Sequence, residues 1–364
     1  MKIAQVAPLY ESCPPKLYGG TERVVSYLTE ELVRAGHEVT LFASGDSETA
    51  AELRTICPRS LRLIAGYGES LSYHLVMLSR VMEAAREFDI IHFHTDFLHF
   101  PMFNRMRDKT LTTLHGRLDL AELPIIYREF PSMPVVSISD AQRRALPWLN
   151  WRGTVYHGLP PDAYDLGDGG GGHLVFLGRI CPDKRPDRAI EIAKKAGMPL
   201  VIAAKVDKVD VDYFEHVIRP LLDHPMVDYI GEVDEARKAQ LLADARALLF
   251  PIDWPEPFGL VMIEAMACGT PVVAYRHGSV PEIIDEGITG FVVDNETAAV
   301  GAVEAAAGLD RAVVRERFEE RFSVKSMTEG YLAIYAAMAR ENVYDYASGA
   351  PKFGAGSVPP VNAA

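Results

Sequence analysis

KIAQVA at residues 2–7 and EVTLFA at 38–43 enclose TERVVSYLTEELVRA at 21–35, and the alternation of these three stretches decides the fold. The outer two read as short buried strands. In the middle one, Val25, Leu28 and Leu32 recur at helical spacing, and Gly36 follows as a stop signal. The unit is therefore strand, helix, strand. The pattern continues with a helical stretch over residues 70–87, the strands DIIHFH (89–94), TLTTLH (110–115) and VVSIS (135–139), and a polar helix start at Asp140. Strands that alternate with helices predict a parallel sheet.

Near residue 160 the composition changes. PPDAYDLGDGGGG (160–172) is rich in Pro, Gly and Asp and reads as an interdomain linker. Beyond it the alternation resumes with HLVFLG, PLVIAA, VDYIG, ARALLFPI, PVVAY and GFVV as strands. The expected architecture is α/β: two Rossmann-like, doubly wound parallel-sheet domains, over 1–165 and 173–325. Two helical stretches, 311–321 and 323–341, close the pattern. The tail over 346–364 has too little apolar content to pack and is expected to be mobile. Ligands of such sheets bind at the C-terminal strand edges, so the motifs should lie in strand-to-helix loops facing a cleft.

The 364 residues, 48% hydrophobic and 24% charged, suit about two globular domains. No apolar run approaches the ~20 residues of a membrane helix, and MKIAQVAPLY lacks the marks of a signal peptide. A soluble cytoplasmic protein is the expectation. Cys13, Cys57, Cys181 and Cys268 stand far apart, so neither a disulfide framework nor a zinc ribbon is expected. Net charge is −13. Residues 1–160 carry 17 basic and 18 acidic side chains and the rest carry 20 and 32, which offers no basic face to nucleic acid. An anionic ligand would have to be held by a few local cations and helix N-termini.

WPEPFGLVMIEAMACGTPVVAY (254–275) carries the strongest chemical signal. Pro257 and Gly259 mark a turn, and Leu260 to Cys268 form a helix that is apolar all round except for Glu264. A carboxylate there needs partners: a ribose diol fits it, and so does a nearby backbone group or arginine. Glu256 precedes the helix, where the N–H groups of Phe258, Gly259 and Leu260 converge and a hexose or phosphate could bind; a solvated loop acid is the plainer reading. The two glutamates are a poor glycosidase pair, since eight helical residues span roughly 12 Å, beyond the roughly 5 to 9.5 Å such pairs use. In HLVFLGRICPDKRPDRAIEIA (173–193), Arg179 and Lys184 fall in a strand-to-helix loop, where they suit a diphosphate or, alternatively, salt bridges with Asp183 and Asp187. The first loop, PLYESCPPKLYGG, has no GxGxxG, which counts against a dinucleotide enzyme.

These elements together resemble the retaining glycosyltransferases of family 4, which have the GT-B fold. The residues that carry the likeness are Glu256 to Glu264 in E-x7-E with EPFG at its head, Arg179 to Lys184 in GRxxxxK, and GGTERVV at the start of the first helix. It spans roughly residues 1–340. The resemblance implies that Glu264 holds a nucleotide ribose, that Arg179 and Lys184 hold the diphosphate, and that Glu256 with the Phe258–Leu260 backbone holds the donor sugar. It implies that Gly19 and Gly20 let the first loop approach the donor, and that His115 lies beside the anomeric carbon. Lys205 and Val233 are weaker candidates for phosphate and base. The C-terminal helix, about 326–345, would pack back on the first domain, and the linker at 165–172 would be a hinge.

The implied reaction moves a hexose from a nucleotide diphosphate sugar, UDP-glucose first and GDP-mannose next, to a small-molecule, glycan or lipid-linked acceptor. Configuration would be retained by front-face attack, with no metal or other cofactor expected. A nucleotide-sugar epimerase of the same architecture and a non-catalytic nucleotide-sugar sensor are the alternatives. His157 stands where many relatives have Asn-Gly in the loop before the linker, so the hinge or cleft geometry should differ there. His92 and His94 share a strand face without a third metal ligand, and Asp210-Val211-Asp212 reads as a helix start rather than a metal motif.

Overall fold

The computed structural model describes residues 1–17, 19–64 and 70–348. Its first sheet contains β1 (Lys2–Val6), β2 (Glu38–Ala43), β3 (Glu52–Thr55), β4 (Ile90–Phe93), β5 (Thr110–Thr113), β6 (Val135–Ser137) and β7 (Trp151–Thr154). All pairs are parallel, in the order β3-β2-β1-β4-β5-β6-β7. The second contains β8 (Leu174–Arg179), β9 (Leu200–Lys205), β10 (Val227–Gly231), β11 (Ala247–Phe250), β12 (Val272–Tyr275) and β13 (Gly290–Val293). It too is parallel, in the order β10-β9-β8-β11-β12-β13. Helices cover both faces, and the inner strands β4, β5, β11 and β12 are buried along their whole length, as both-sided cover requires.

Each sheet reverses its winding once, between β1 and β4 in the first and between β8 and β11 in the second. Loops leaving those strands diverge and open a crevice at the carboxyl edge. The loop after β8 carries Lys184 and the loop after β11 carries Glu256, so the two motifs meet at the second switch point. β3 and β7 were not expected. ELRT and WRGT are edge strands, half-buried or exposed, and lack the apolar run that marks an inner strand.

The glycine-rich stretch is not a loose tether. Gly167 N–H donates to Cys268 O at 3.0 Å, Gly169 N–H to Ala243 O at 3.2 Å and Gly171 N–H to Asp244 O at 3.0 Å. Arg311 adds donations to the carbonyls of Gly167, Ala243, Ala245 and Cys268. Residues 167–171 are thereby sewn to the second sheet's lobe, which corrects the expectation of a hinge at 165–172. The chain crosses between lobes upstream of it. Leu159 N–H donates to Phe322 O at 2.9 Å and Val324 N–H to Leu159 O at 2.8 Å, so the outward and return crossings lie side by side.

After the second crossing, the helix Val324–Ser348 packs on the helix Gly20–Arg34. Its Tyr331, Tyr335 and Met338 are buried against Leu28, Leu32, Ile90 and Val136. Most of the stretch expected to be mobile, 349–364, lies outside the described residues. No helix among the described residues is long and apolar enough to cross a membrane.

Candidate active site

Between the lobes lies a cavity of about 730 Å³. That is within the usual range for a small-molecule site. All twelve candidate residues line it: Gly19, Gly20 and His115 from the first lobe, and Arg179, Lys184, Lys205, Val233, Glu256, Phe258, Gly259, Leu260 and Glu264 from the second. Six cationic and six acidic side chains share the lining, so the cavity is balanced although the second lobe, which forms one side of it, is strongly acidic.

The cations are held in place by neighbouring acids, of which only Asp207 went unmarked in the sequence. Arg179, the last residue of β8, lies 3.4 Å from both Asp207 and Asp210, and Lys205, the last of β9, lies 3.0 Å from Asp207. Burial would raise the Asp207 carboxyl, but the hydrogen bond and charge of Lys205 with the charge of Arg179 hold it below its ordinary value. Asp212 sits in the first turn of a short helix, as expected for the Asp210-Val211-Asp212 triplet. Lys184 pairs with Glu256, and its ammonium stands over the Trp254 ring at 4.9 Å and the Phe250 ring at 5.3 Å. Glu256 is thus a buried, paired carboxylate rather than a solvated loop acid. Neither Asp183 nor Asp187 pairs with Arg179 or Lys184; Asp187 takes Arg185 at 2.8 Å instead.

The turn at 255–259 is clamped from below. Ser279 N–H donates to Glu256 O at 2.9 Å and Ser279 Oγ–H to Phe258 O at 2.8 Å. Gly278, at φ +55°, lies so close under this turn that a Cβ would stand 2.7 Å from the Pro255 carbonyl carbon and overlap the Glu256 backbone. Gly259 caps the helix Leu260–Ala267 in the left-handed region, at φ +81°. The helix N-terminus therefore opens onto the cavity, beside Arg179 and Lys184 on its wall. Across the cleft, a Cβ on Gly20 would come within 3.2 Å of Leu260 Cδ1. A side chain there would push on the Leu260 methyl of the facing lobe.

Glu264 is 5% exposed and accepts from Lys238 Nζ at 2.6 Å. Of the readings left open for it, a protein cation is the observed partner. Lys238 also pairs with Glu235 at 2.9 Å, and Glu235 pairs with Arg23 at 2.9 Å, so a charge chain crosses from one lobe to the other. Burial opposes the charge on Lys238, but Glu264 and Glu235 outweigh it and its pKa is raised. Sequence gave Lys238 no mark, because it lies mid-helix in an ordinary polar pattern.

On the first lobe, His115 follows β5 and donates or accepts through Nε2 with His94 Nδ1 at 2.8 Å. His157 stacks on it, with centroids 5.2 Å apart, and meets the Phe258 ring edge-on at 4.8 Å. The Nδ1 atoms of both rings are buried without a partner among the described residues. Burial lowers the His115 pKa to about 3 and drives His157 far below its ordinary value, so both are neutral at physiological pH. His157 is part of the cavity wall.

Asp96, beyond β4, was missed. It lines the cavity with φ +49°, an uncommon conformation for a non-glycine residue, and neither accepts a hydrogen bond nor joins an ion pair among the described residues. The residue is exposed on the cavity wall, and desolvation by the protein packed around its carboxyl raises its pKa to about 6. Its sequence context, HTDFLHF, carried no signal beyond a polar strand end. His92 and His94 are spent on hydrogen bonds, and no group of three His, Cys, Asp or Glu among the described residues could hold a metal ion.

Comparison with known proteins matches both lobes. The family model for glycosyl transferases group 1 covers residues 168–322, and that for glycosyltransferase family 4 covers 18–156. A D-inositol 3-phosphate glycosyltransferase of Mycolicibacterium smegmatis is 28% identical over 238 residues, 60% of this chain and 54% of that protein. The chain spans about half the length of the curated relatives it first matches. Among solved structures, AviGT4, a glycosyltransferase involved in avilamycin A biosynthesis, superposes with a TM-score of 0.70 at 24% identity, covering 94% of this chain and 98% of that one. Anabaena HepE, solved in complex with UDP and glucose, has a TM-score of 0.68 at 19% identity, covering 93% and 100%. At these identities the structures establish the GT-B fold.

Proposed function

The chain belongs to glycosyltransferase family 4, and from that premise we propose that it transfers a hexose from a nucleotide diphosphate sugar, with retention, to an acceptor bound by the first lobe. The observation that carries this reading is the convergence of Arg179, Lys184 and the Gly259 helix N-terminus on one cavity wall, with Glu264 a turn further along the same helix. UDP-glucose is the donor we favour, in keeping with the UDP and glucose found with HepE; GDP-mannose is next.

When the bond between the anomeric carbon and the β-phosphate oxygen breaks, negative charge gathers on the phosphate and positive charge on the sugar ring. Arg179, Lys184 and the helix dipole stabilise the first, and being fixed in advance they need little reorganisation. Glu264 takes the ribose hydroxyls, and Glu256 with the Phe258–Leu260 backbone takes the sugar hydroxyls. The acceptor oxygen attacks from the face the diphosphate is leaving, and its proton passes to the departing phosphate oxygen. Protein cations supply the charge a metal would otherwise give. His115, neutral and with Nδ1 unpartnered, accepts from a sugar hydroxyl. Asp96 binds a hydroxyl of the acceptor, which we take to be a polyhydroxylated molecule.

The test is release of free nucleotide from UDP-glucose, GDP-mannose and ADP-glucose, with and without sugar acceptors, with NMR of the product's anomeric configuration. Nucleotide release with a retained α-linkage supports the reading. Conversion of the donor without acceptor would favour an epimerase; binding without release would favour a sensor.

A further inference from the structure

Seven polar side chains form one continuous run through the interior of the first lobe, ending at the cleft. Tyr331 Oη lies 2.9 Å from Thr113 Oγ1, which lies 2.8 Å from His92 Nε2, and His92 Nδ1 lies 2.7 Å from Tyr335 Oη. Tyr335 Oη is 3.2 Å from Gln5 Nε2, Gln5 Oε1 is 2.8 Å from His94 Nε2, and His94 Nδ1 is 2.8 Å from His115 Nε2. The first six residues are at most 2% exposed, so water does not complete their bonding. The three histidines are neutral, since burial pushes each far below its ordinary pKa.

A neutral imidazole has one N–H and one lone-pair nitrogen, and each link needs one donor and one acceptor. The direction of any single bond is therefore inherited by every other. Gln5 sets that direction, because its two ends differ chemically. Its Nε2–H donates to Tyr335 Oη, and its Oε1 must then accept from His94 Nε2–H. His94 Nδ1 is left with a lone pair, so His115 Nε2 carries the proton and its Nδ1 does not. On the other side, Tyr335 O–H donates to His92 Nδ1, His92 Nε2–H to Thr113, and Thr113 O–H to Tyr331. A reversed Gln5 amide would invert every link and put an N–H at His115 Nδ1.

We propose that Gln5 and Tyr335 are positioning residues, which through His94 fix His115 in its Nε2–H tautomer and reserve its Nδ1 as an acceptor for a substrate hydroxyl. The tautomer follows from the run itself; the substrate hydroxyl rests on the donor reading above. Tyr335 belongs to the helix Val324–Ser348, which starts at the return crossing, so the strap between the lobes helps to set the face shown by a residue in the cleft.

The test is long-range ¹H–¹⁵N NMR of the full chain labelled in histidine, with His115 assigned by its loss in His115→Asn. In the wild type at pH 7.5, His94 and His115 should each show a protonated Nε2 and an unprotonated Nδ1. In Gln5→Leu and in Tyr335→Phe the His115 signals should move toward a tautomer mixture. Hydrolysis of UDP-glucose should slow by about tenfold in kcat, the worth of one hydrogen bond, with KM for UDP-glucose within about twofold. A protonated Nδ1 on His115 in the wild type overturns the proposal even if neither variant folds, and so does a His115 spectrum unmoved in both variants. If the tautomer is as stated but wild-type protein turns over no UDP-glucose, the donor reading fails and the relay stands.

Discussion

Replacing Glu264 by Gln changes its charge and hardly its shape, which makes it a sharp probe of how the cleft holds a nucleotide. The cost to the fold should be small. Lys238 loses the carboxylate at 2.6 Å but keeps Glu235 at 2.9 Å, so no buried ammonium is stranded. Stranding one would cost about 3–5 kcal/mol; exchanging one of two acceptors for an amide oxygen should cost about 1 kcal/mol. Binding should suffer more. A hydrogen bond to a charged group contributes about 1.5–3 kcal/mol and a neutral one about 0.5–1.5 kcal/mol, so weakening two ribose bonds removes roughly 2–3 kcal/mol. At 1.4 kcal/mol per factor of ten, that is about a 30- to 150-fold rise in Kd. Calorimetric titration with UDP measures the affinity, and thermal melting of the free protein measures the fold. A Kd within about twofold of wild type, with melting preserved, would refute the ribose assignment.

Three further outcomes follow from the same geometry. Asp96→Asn should raise KM for a sugar acceptor by about tenfold while leaving acceptor-independent hydrolysis of UDP-glucose at its wild-type rate; an unchanged acceptor KM would remove Asp96 from the acceptor site. Gly278→Ala should displace the Glu256 turn and lower both turnover and melting temperature, since its Cβ has no room under the turn and its φ of +55° disfavours alanine; a wild-type profile would contradict the clamp. Stability should fall as pH drops below about 6.5. His92, His94, His99, His115 and His157 are all lowered by burial, so there the unfolded chain binds protons that the native chain refuses, at up to about 1.4 kcal/mol per pH unit for each. Glu11, Glu22 and Asp96, raised by burial, oppose this by taking protons first in the native state. His37 and His74 are lowered by burial too, so seven histidines stand against three carboxyls and the melting temperature between pH 7 and 5 should decline; a flat or rising profile would contradict the burial of the histidines.

Inner strands and motif loops were legible in the sequence because their signals are local. EVTLFA, VDYIG and GFVV are strands over the residues the apolar runs mark, and Glu264 stands out as the one charge on an apolar helix. Edge strands were not legible: β3 and β7 pair on one side only and need no apolar run. Much of the site's detail was also hidden, for a different reason. Lys184 finds Glu256, Glu264 finds Lys238, and Gln5 finds both His94 and Tyr335 only when the chain has folded. Nothing in the spacing of these residues announces the pairing. The glycine run at 169–172 misled in the opposite sense, since its composition suggested freedom while the Gly169 and Gly171 amides are bonded to the Ala243 and Asp244 carbonyls.

The central claim is that the second lobe grips a nucleotide by its pyrophosphate. Calorimetric titration of wild-type protein with UDP, UMP and uridine, repeated on Arg179→Ala and Lys184→Ala, tests it most directly. The account predicts that UDP binds at least about tenfold more tightly than UMP, as one additional charge-assisted contact would give, that uridine is weaker still, and that either substitution largely erases the advantage of UDP. Equal affinity for the three ligands, or an advantage for UDP that survives both substitutions, would contradict it.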